Sequence, residues 1–250
     1  MLASIGITVI LTFGAFLAPF AINWKTLEFN LDGLLQVFHR VFPVARGLYE
    51  DKVANFWCAL SVIIKLRNMY GLDELIKMSI GTTLSVVLPS CLYLFYKPTA
   101  SKFMTSLAIS SLGFFLFSFQ VHEKSILLPL LVITAMYNDF PLLSTWFNNV
   151  AMFSLFPLLK KDQLVLAYIA LLILWNALTL PAWNNSGKLK YLLFLSYIPI
   201  VALHCLEYST FPPAHLPDLF VVVNVLYSTT MFGFMFLALH LKLFAGVTFP

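Results

Sequence analysis

Three consecutive ionisable residues separate two apolar runs near the middle of the sequence. They are His122, Glu123 and Lys124, within the string FQVHEK at 119–124. Because ionisable side chains at membrane depth are costly, such a group is typical of a functional site that faces a cavity. His122 could donate a hydrogen bond to a phosphate, and Lys124 could neutralise phosphate charge. From these residues alone, a hydrated turn between two helices is an equally good interpretation.

A second polar string, RVFPVARGLYEDKVANFW at 40–57, mixes basic, acidic, aromatic and amide groups. In such a mixture Trp or Tyr rings can stack on sugar rings, while Arg or Lys binds oxyanions. A hydrated loop at a membrane surface explains the same residues on chemistry alone. The candidate binding residues in this string are Arg46, Glu50, Asp51, Lys52 and Trp57.

The amino-acid composition identifies the environment of both strings. Hydrophobic residues make up 60% of the 250 residues and charged residues only 10%, and the mean hydropathy is +0.89. A soluble domain is roughly 45–50% apolar and about 25% charged. This chain has too few polar side chains to cover a globule, so we predict a membrane protein surrounded by lipid.

Several classes of function are excluded by the same composition. The net charge is only +4 and no run of Lys or Arg is present, so we predict no nucleic-acid partner. The three cysteines Cys58, Cys91 and Cys205 stand singly, which predicts neither a disulfide framework nor a zinc site. His204 and Glu207 lie one helical turn apart without a third ligand. We therefore predict no metal and no other cofactor.

Apolar windows near the ~20 residues that a bilayer requires predict an all-α, polytopic transmembrane helical bundle. We predict seven spans and one doubtful shorter one, which form a single transmembrane domain over 1–250. The first run lacks a basic start and a convincing cleavage site, so we interpret it as a retained span rather than a signal peptide. The predicted spans are 1–22, 78–96, 103–120, 142–159, 163–180, 191–208 and 219–241, and the shorter run is 125–137.

The segment 53–66 has only about 12 continuous apolar positions, which is short for a span. We predict that it forms an interfacial helix inside a long loop, 23–77, with Trp57 at the level of the headgroups. Asp218 precedes the last span and is predicted to be its N-cap. The asparagines inside the spans are predicted to form hydrogen bonds between helices; they are Asn148, Asn149, Asn176 and Asn224.

The orientation follows from the lysines of the short loops. With 125–137 counted as a span, one set of loops holds five lysines and the other holds three. This difference places FQVHEK and the loop 23–77 on the side away from the cytosol. The first set is Lys97, Lys102, Lys188, Lys190 and Lys242, and the second is Lys124, Lys160 and Lys161.

The strings RVFPVARGLYEDKVANFWCAL (40–60) and FFLFSFQVHEKSILLPLL (114–131) resemble the endoplasmic-reticulum α-1,3-glucosyltransferases that use dolichyl-phosphate glucose. The string LPDLF at 216–220 extends this resemblance toward the end of the chain. Two sister enzymes share the fold, and one adds the first glucose while the other adds the second. The continuous EDKVANFWC at 50–58 is similar to the first-glucose enzyme.

The resemblance implies a polytopic glycosyltransferase of the GT-C type in the endoplasmic-reticulum membrane, with its active face in the lumen. It implies transfer of glucose from dolichyl-phosphate glucose, in α-1,3 linkage and with inversion, to the dolichyl-diphosphate high-mannose oligosaccharide. A carboxylate of the enzyme would deprotonate the acceptor hydroxyl. The positions that match the family's donor site are Arg46, Glu50, Asp51, Lys52, His122, Glu123 and Lys124.

The sequence departs from this family at its beginning. The family's acidic catalytic motif lies in the first luminal loop of its N-terminal half, and this chain matches only the C-terminal portion. We therefore expect no catalytic base in this chain and no glucose transfer by the chain alone. The alternatives are the sister enzyme that adds the second glucose, and a non-catalytic membrane scaffold or lipid transporter derived from the family.

Overall fold

The computed structural model describes residues 2–23, 26, 28–41, 52–184 and 187–249. The chain forms two compact units, Met1–Gly47 and Leu48–Pro250. The single transmembrane domain over 1–250 stays a prediction.

The first unit begins with an apolar helix. Helix α1, Leu2–Ala21, contains no charged residue, and Ala3–Ala21 is long and apolar enough to cross a membrane. A two-residue antiparallel ladder of β1 (Ile22–Asn23) and β2 (Glu28–Phe29) follows it. Helix α2, Leu31–Val41, ends the described part of this unit. The predicted span at 1–22 is therefore confirmed as a long helix, whereas the small ladder was not predicted.

Close backbone contact joins α1 to α2 within this unit. The Asn30 amide donates to the Ala21 carbonyl at 2.7 Å, and the Asn30 side chain accepts from the Gly33 amide at 3.0 Å. A Cβ atom at position 33 would collide with the Phe20 carbonyl oxygen. Glycine is needed here because it alone lets the backbone approach so closely.

The second unit is a bundle of helices joined by short connections. A 3-10 turn, Glu123–Ile126, stands immediately before α7. The α-helices of its described part are α3 Phe56–Ile63, α4 Leu66–Met69, α5 Leu72–Tyr96, α6 Ala100–Phe117, α7 Leu127–Ala135, α8 Pro141–Ser154, α9 Phe156–Lys161, α10 Val165–Leu178, α11 Leu180–Asn184, α12 Leu189–Leu195, α13 Tyr197–Ser209 and α14 Leu219–Ala245.

The prediction of an all-α, polytopic membrane bundle is confirmed. Among the described residues, five helical segments are long and apolar enough to span a membrane. Helix α5 starts at Leu72 rather than 78, so the long loop is shorter than predicted. The segments 125–137, 142–159 and 163–180 are helical but divided into shorter pieces. The five are Ala3–Ala21, Leu72–Tyr96, Ala100–Phe117, Leu189–Ser209 and Leu219–Ala245.

A proline explains the division of the predicted span 142–159. Pro157 lies at the start of α9, and it has no N–H to donate to the carbonyl of Phe153, four residues earlier. That carbonyl instead accepts a hydrogen bond of 2.8 Å from the side-chain amide of Asn224 in α14. Asn224 therefore satisfies the backbone group that Pro157 leaves unpaired.

The other intramembrane asparagines also form hydrogen bonds between helices. Asn149 in α8 and Asn176 in α10 exchange two hydrogen bonds, of 2.9 and 3.0 Å. Asn149 also donates to the Tyr197 hydroxyl of α13 at 2.8 Å. Asn148 donates to the Thr134 hydroxyl of α7 at 3.0 Å. These contacts confirm the role predicted for the asparagines.

The core of the second unit lies where α6, α8 and α14 meet. The Phe232 ring of α14 packs against Phe115 of α6 and Phe147 of α8, with ring centroids 5.7 and 5.5 Å apart. Helix α5 packs on α6 at Gly113, where a Cβ atom would lie only 2.8 Å from a methyl group of Val87. These helices form a rigid support for the loops at their two ends.

Ion pairs join loops within each of the two predicted sets at opposite ends of α14. At its start, Asp218 forms an ion pair with Lys52 at 2.8 Å. Near its end, Lys242 lies 3.8 Å from Asp139. The chain therefore changes ends between FQVHEK, which adjoins the end of α6, and Asp139. This arrangement agrees with a change of ends over 125–137, although its α-helix, α7, has only nine residues and is not one of the five long spans.

Residues 53–66 form a helix too short to cross a bilayer. Helix α3 has eight residues and is about 12 Å long at 1.5 Å per residue, against an apolar core of ~30 Å. We expect cysteines placed at Lys52 and at Asn68 to react with a membrane-impermeant maleimide from the same side. Labelling in sealed and opened microsomes measures this, with the unsubstituted protein as the baseline. Labelling of the two positions from opposite sides would show that this segment crosses the membrane.

Candidate functional site

The described end of the first string, 52–57, meets the second string at the end of α6. The Trp57 indole N–H donates to the Phe117 carbonyl at 2.7 Å, and the Phe56 ring lies 5.3 Å from the Phe117 ring. Phe119, at the start of FQVHEK, packs against the cluster that contains Trp57. Segments about 60 residues apart in the sequence thus form one structure.

Asn55 fixes the first string to the bundle. Its side-chain oxygen accepts from the Cys58 amide at 2.8 Å and caps α3, as expected of an N-cap asparagine. Its backbone carbonyl accepts from the Thr229 hydroxyl of α14 at 3.3 Å. The preceding residues Val53 and Ala54 are also buried. Lys52 is therefore attached to an anchored backbone.

The second string is held at both ends while its ionisable residues point outward. Ser79 of α5 donates to the Phe117 carbonyl at 2.9 Å, and Gln120 adopts a positive φ of 56°. The flanking residues Val121 and Ile126 are buried in the core. Between them the chain turns sharply and begins the 3-10 turn.

The ionisable residues of this string differ in exposure. His122 and Lys124 are exposed, and Glu123 is half-buried. His122 stands at the N-cap of the 3-10 turn, and its carbonyl accepts from the Ser125 amide at 3.0 Å. His122 and Lys124 thus lie on the surface at the end of the bundle where the strings meet.

Lys52 and Asp218 stand at the charged end of a cavity between α3 and α14. Their ion pair, 2.8 Å long, is exposed to solvent. The cavity has a volume of about 360 Å³ and a largely aliphatic wall. A charged end beside an aliphatic wall suits a molecule that joins a phosphate to a hydrocarbon chain. The wall is formed by Cys58, Ser61, Val62, Val221, Val222 and Val225.

A second cavity, of about 320 Å³, adjoins FQVHEK between α6 and α7. Gln120 and Ser125 line it together with Phe114 and Phe115. Within the described part of the chain, the Gln120 amide nitrogen is buried and has no hydrogen-bond partner. A buried donor without a partner is costly, so Gln120 is suited to bind an acceptor atom of a ligand.

The structure distributes the predicted site residues unevenly. Lys52, His122, Glu123 and Lys124 lie at the same end of the bundle, as described above. Trp57 is only 2% exposed, and its ring packs inside the protein. Its predicted contact with a sugar is not seen in this arrangement and stays a prediction. Three candidates, Arg46, Glu50 and Asp51, lie outside the described residues.

Two residues of this region were not predicted as part of the site. Asp218 stands at the N-cap position of α14 but makes no capping hydrogen bond with its side chain; it pairs with Lys52 instead. Gln120 lies in the predicted string but was not named as a binding residue. Its buried side-chain amide, which the structure shows, is what marks it as a candidate. No local signal could pair Lys52 with Asp218, because 166 residues separate them.

The fold defines a polytopic helical membrane protein in which polar and charged side chains gather at one end of the helices. A family model described as the ALG6, ALG8 glycosyltransferase family matches residues 1–238. The chain therefore belongs to this family, which confirms the resemblance seen in the two strings.

Relatives named as α-1,3-glucosyltransferases agree with this assignment. A probable dolichyl pyrophosphate Man9GlcNAc2 alpha-1,3-glucosyltransferase of Schizosaccharomyces pombe is 40% identical, over 88% of this chain and 44% of the relative. The proteins named dolichyl pyrophosphate Man9GlcNAc2 alpha-1,3-glucosyltransferase in Gallus gallus and Saccharomyces cerevisiae are 44% and 36% identical. These two matches extend over 62% and 93% of this chain and over 31% and 49% of the respective relatives. The chain spans less than half the length of these relatives.

We expect Trp57→Phe to destabilise the protein by about 1 kcal/mol, because it removes one donor to the Phe117 carbonyl and keeps an aromatic ring. Adding Ser79→Ala removes the second donor and should cost roughly 1–3 kcal/mol more, because the carbonyl then has no partner. Denaturant unfolding of the purified protein in detergent measures both changes. Ser85→Ala, which removes an exposed hydroxyl bonded within its own helix, is the control. Equal stability of all variants would contradict a role for these donors.

Proposed function

We propose that this chain takes part in the transfer of glucose from dolichyl-phosphate glucose to the lipid-linked high-mannose oligosaccharide. The linkage formed is α-1,3, and the glucose is the first one added. Membership of the ALG6, ALG8 glycosyltransferase family supports this proposal. The relatives reported above support the acceptor, since their names specify Man9GlcNAc2 on dolichyl pyrophosphate.

The observation that carries the proposal is the meeting of the two strings beside an amphipathic cavity. His122 and Lys124 are exposed at this end of the bundle, and Lys52 stands at the charged end of the aliphatic cavity. Dolichyl-phosphate glucose combines a sugar phosphate with a long isoprenoid chain. We assign the phosphate to the cationic groups and the first part of the isoprenoid chain to the aliphatic wall.

The cationic groups have a defined task in this reaction. The acceptor hydroxyl forms a new bond to C1 of glucose while the bond from C1 to the phosphate oxygen breaks. The electron pair of the broken bond stays on dolichyl phosphate, and the hydroxyl proton passes to a carboxylate base that is not assigned in this chain. Lys52, His122 and Lys124 would stabilise the charge that develops on the phosphate. Arg46, Glu50 and Asp51 remain proposed donor-site residues through the resemblance.

The proposed site lies on the luminal face of the endoplasmic-reticulum membrane. The lysine distribution among the short loops supports this orientation. The ion pair of Lys52 with Asp218 supports the assignment of their two loops to one and the same side.

Two other functions receive less support. The sister enzyme acts on an oligosaccharide that already carries one glucose, whereas the relatives reported above are named for Man9GlcNAc2. A non-catalytic scaffold or lipid transporter would retain the lipid cavity without glucose transfer. Because this chain alone is not expected to transfer glucose, these three functions are distinguished in a longer protein that contains it, assayed with unglucosylated and singly glucosylated acceptors. Transfer only to the second acceptor favours the sister enzyme, and binding without transfer by that longer protein favours the scaffold or transporter.

We expect His122→Ala to lower glucose transfer by about 10²–10³-fold in an active glucosyltransferase that contains this segment, because it removes one preorganised group at the phosphate. His122→Gln should be milder if the imidazole acts only as a hydrogen-bond donor. Transfer from dolichyl-phosphate glucose to the Man9GlcNAc2 lipid is measured with the purified enzyme.

His215→Ala is the matched control for this experiment. His215 is an exposed histidine in the loop before α14, and we expect its variant to keep the parental rate. Expression and unfolding temperature should be unchanged in both variants. A fully active His122→Ala enzyme would remove His122 from the proposed site.

A further inference from the structure

We propose that the other end of the bundle contains a binding site for a phosphate group, supplied by the headgroup of an anionic membrane lipid. The site is a cavity of about 560 Å³ between the start of α6 and the end of α14. Small-molecule sites typically have volumes of roughly 300–1,000 Å³. Helix α6 has 18 residues and is about 27 Å long at 1.5 Å per residue, so this cavity is distinct from the proposed donor site at Phe117.

Cationic side chains converge on this cavity. Lys102 and Lys242 line it, and the ammonium groups of Lys97 and Lys102 lie 5.7 and 5.2 Å from the centre of the Tyr93 ring. Like charges held on one ring within roughly a Debye length of ~10 Å repel each other. A bound anion would offset this repulsion.

An ion pair neutralises only part of this charge. Asp139 lies 3.8 Å from Lys242, while Lys97 and Lys102 are held by cation–π contacts. Lys102 and Lys242 line the cavity and Lys97 lies over the ring of its lining residue Tyr93. With one carboxylate ion-paired to these lysines among the described residues, an excess of positive charge remains. This excess favours an anionic ligand.

The start of α6 supplies further groups suited to phosphate. Thr99, Ser101 and Thr105 line the cavity beside Lys102, and Thr99 caps α6 by accepting from the Lys102 amide at 3.3 Å. The positive end of the helix dipole at this terminus adds to the attraction of the lysines for an anion. Lysines, hydroxyls and the helix terminus therefore act on the same space.

The position of the cavity indicates a lipid as the source of the phosphate. Phe95, Tyr96 and Phe103 lie within three residues in sequence of the lining residues Tyr93 and Lys102, and they are 67%, 77% and 52% exposed. Aromatic residues at the ends of apolar helices mark the boundary between membrane and water. Basic pockets between transmembrane helices at this level bind the headgroups of anionic lipids.

The test compares lipid binding to the purified full protein and to the double variant Lys102→Gln, Lys242→Gln. Native mass spectrometry measures binding of dioleoyl phosphatidic acid and of dioleoyl phosphatidylcholine, and equilibrium dialysis measures binding of radioactive inorganic phosphate. With about 1 kcal/mol lost per lysine, we expect about fivefold weaker phosphatidic acid binding in each single variant and about 30-fold weaker binding in the double variant. Phosphatidylcholine binding should not respond.

Lys190→Gln is the matched control. Lys190 is a half-buried lysine on a predicted loop of the same set, and its ammonium group lies 5.4 Å from the centre of the Tyr191 ring. We expect its variant to bind phosphatidic acid like the parent. Unfolding temperatures establish that each variant is folded, and the two single variants carry the comparison if the double variant is not.

The arms of the experiment identify the source of the phosphate. Selective loss of phosphatidic acid binding in the variants supports a lipid headgroup. Loss of inorganic phosphate binding with unchanged phosphatidic acid binding assigns the site to soluble phosphate and overturns the lipid as its source. Equal binding of both lipids by the parent, or unchanged phosphatidic acid and phosphate binding in the double variant, would overturn the proposal.

Discussion

The Phe117 carbonyl is the point on which the proposed donor site depends. It lies at the end of α6, where helical carbonyls lose their partners within the helix, and it accepts from both the Trp57 indole and the Ser79 hydroxyl. These two donors join α3 and α5 to the end of α6. Because FQVHEK begins two residues later, the same hydrogen bonds determine where His122 emerges. A structural requirement of the helix end thus positions the site.

Backbone carbonyls inside the bundle also need hydrogen-bond donors from other helices. An apolar environment offers no water to unpaired backbone groups, so the protein must satisfy them itself. Pro157 removes one helical hydrogen bond, and Asn224 replaces it by binding the Phe153 carbonyl. The paired amides of Asn149 and Asn176 join neighbouring helices. Polar residues inside the spans therefore maintain the packing that keeps both ends of the bundle in place.

The two ends of the bundle differ in the chemistry they offer. The end with Lys52 and His122 combines mixed charge with an aliphatic cavity, which suits a lipid-linked sugar phosphate that must be held and then released. The end with Lys102 and Lys242 has excess positive charge beside exposed aromatic residues, which suits a lipid headgroup. Helix α14 reaches both ends, so one rigid element relates the two.

The sequence by itself determined the membrane environment, the helical class and the family, because span length, apolar composition and the strings at 40–60 and 114–131 are local features. It also singled out FQVHEK as a candidate site and predicted that the intramembrane asparagines form hydrogen bonds between helices. Only the tertiary structure decided that Trp57 is buried and that Lys52 pairs with Asp218 across 166 residues. It likewise decided the break at Pro157. These outcomes depend on which residues, distant in the sequence, come close enough to pair with a given charge or to donate to a given backbone carbonyl. The packing of the helices determines which residues those are.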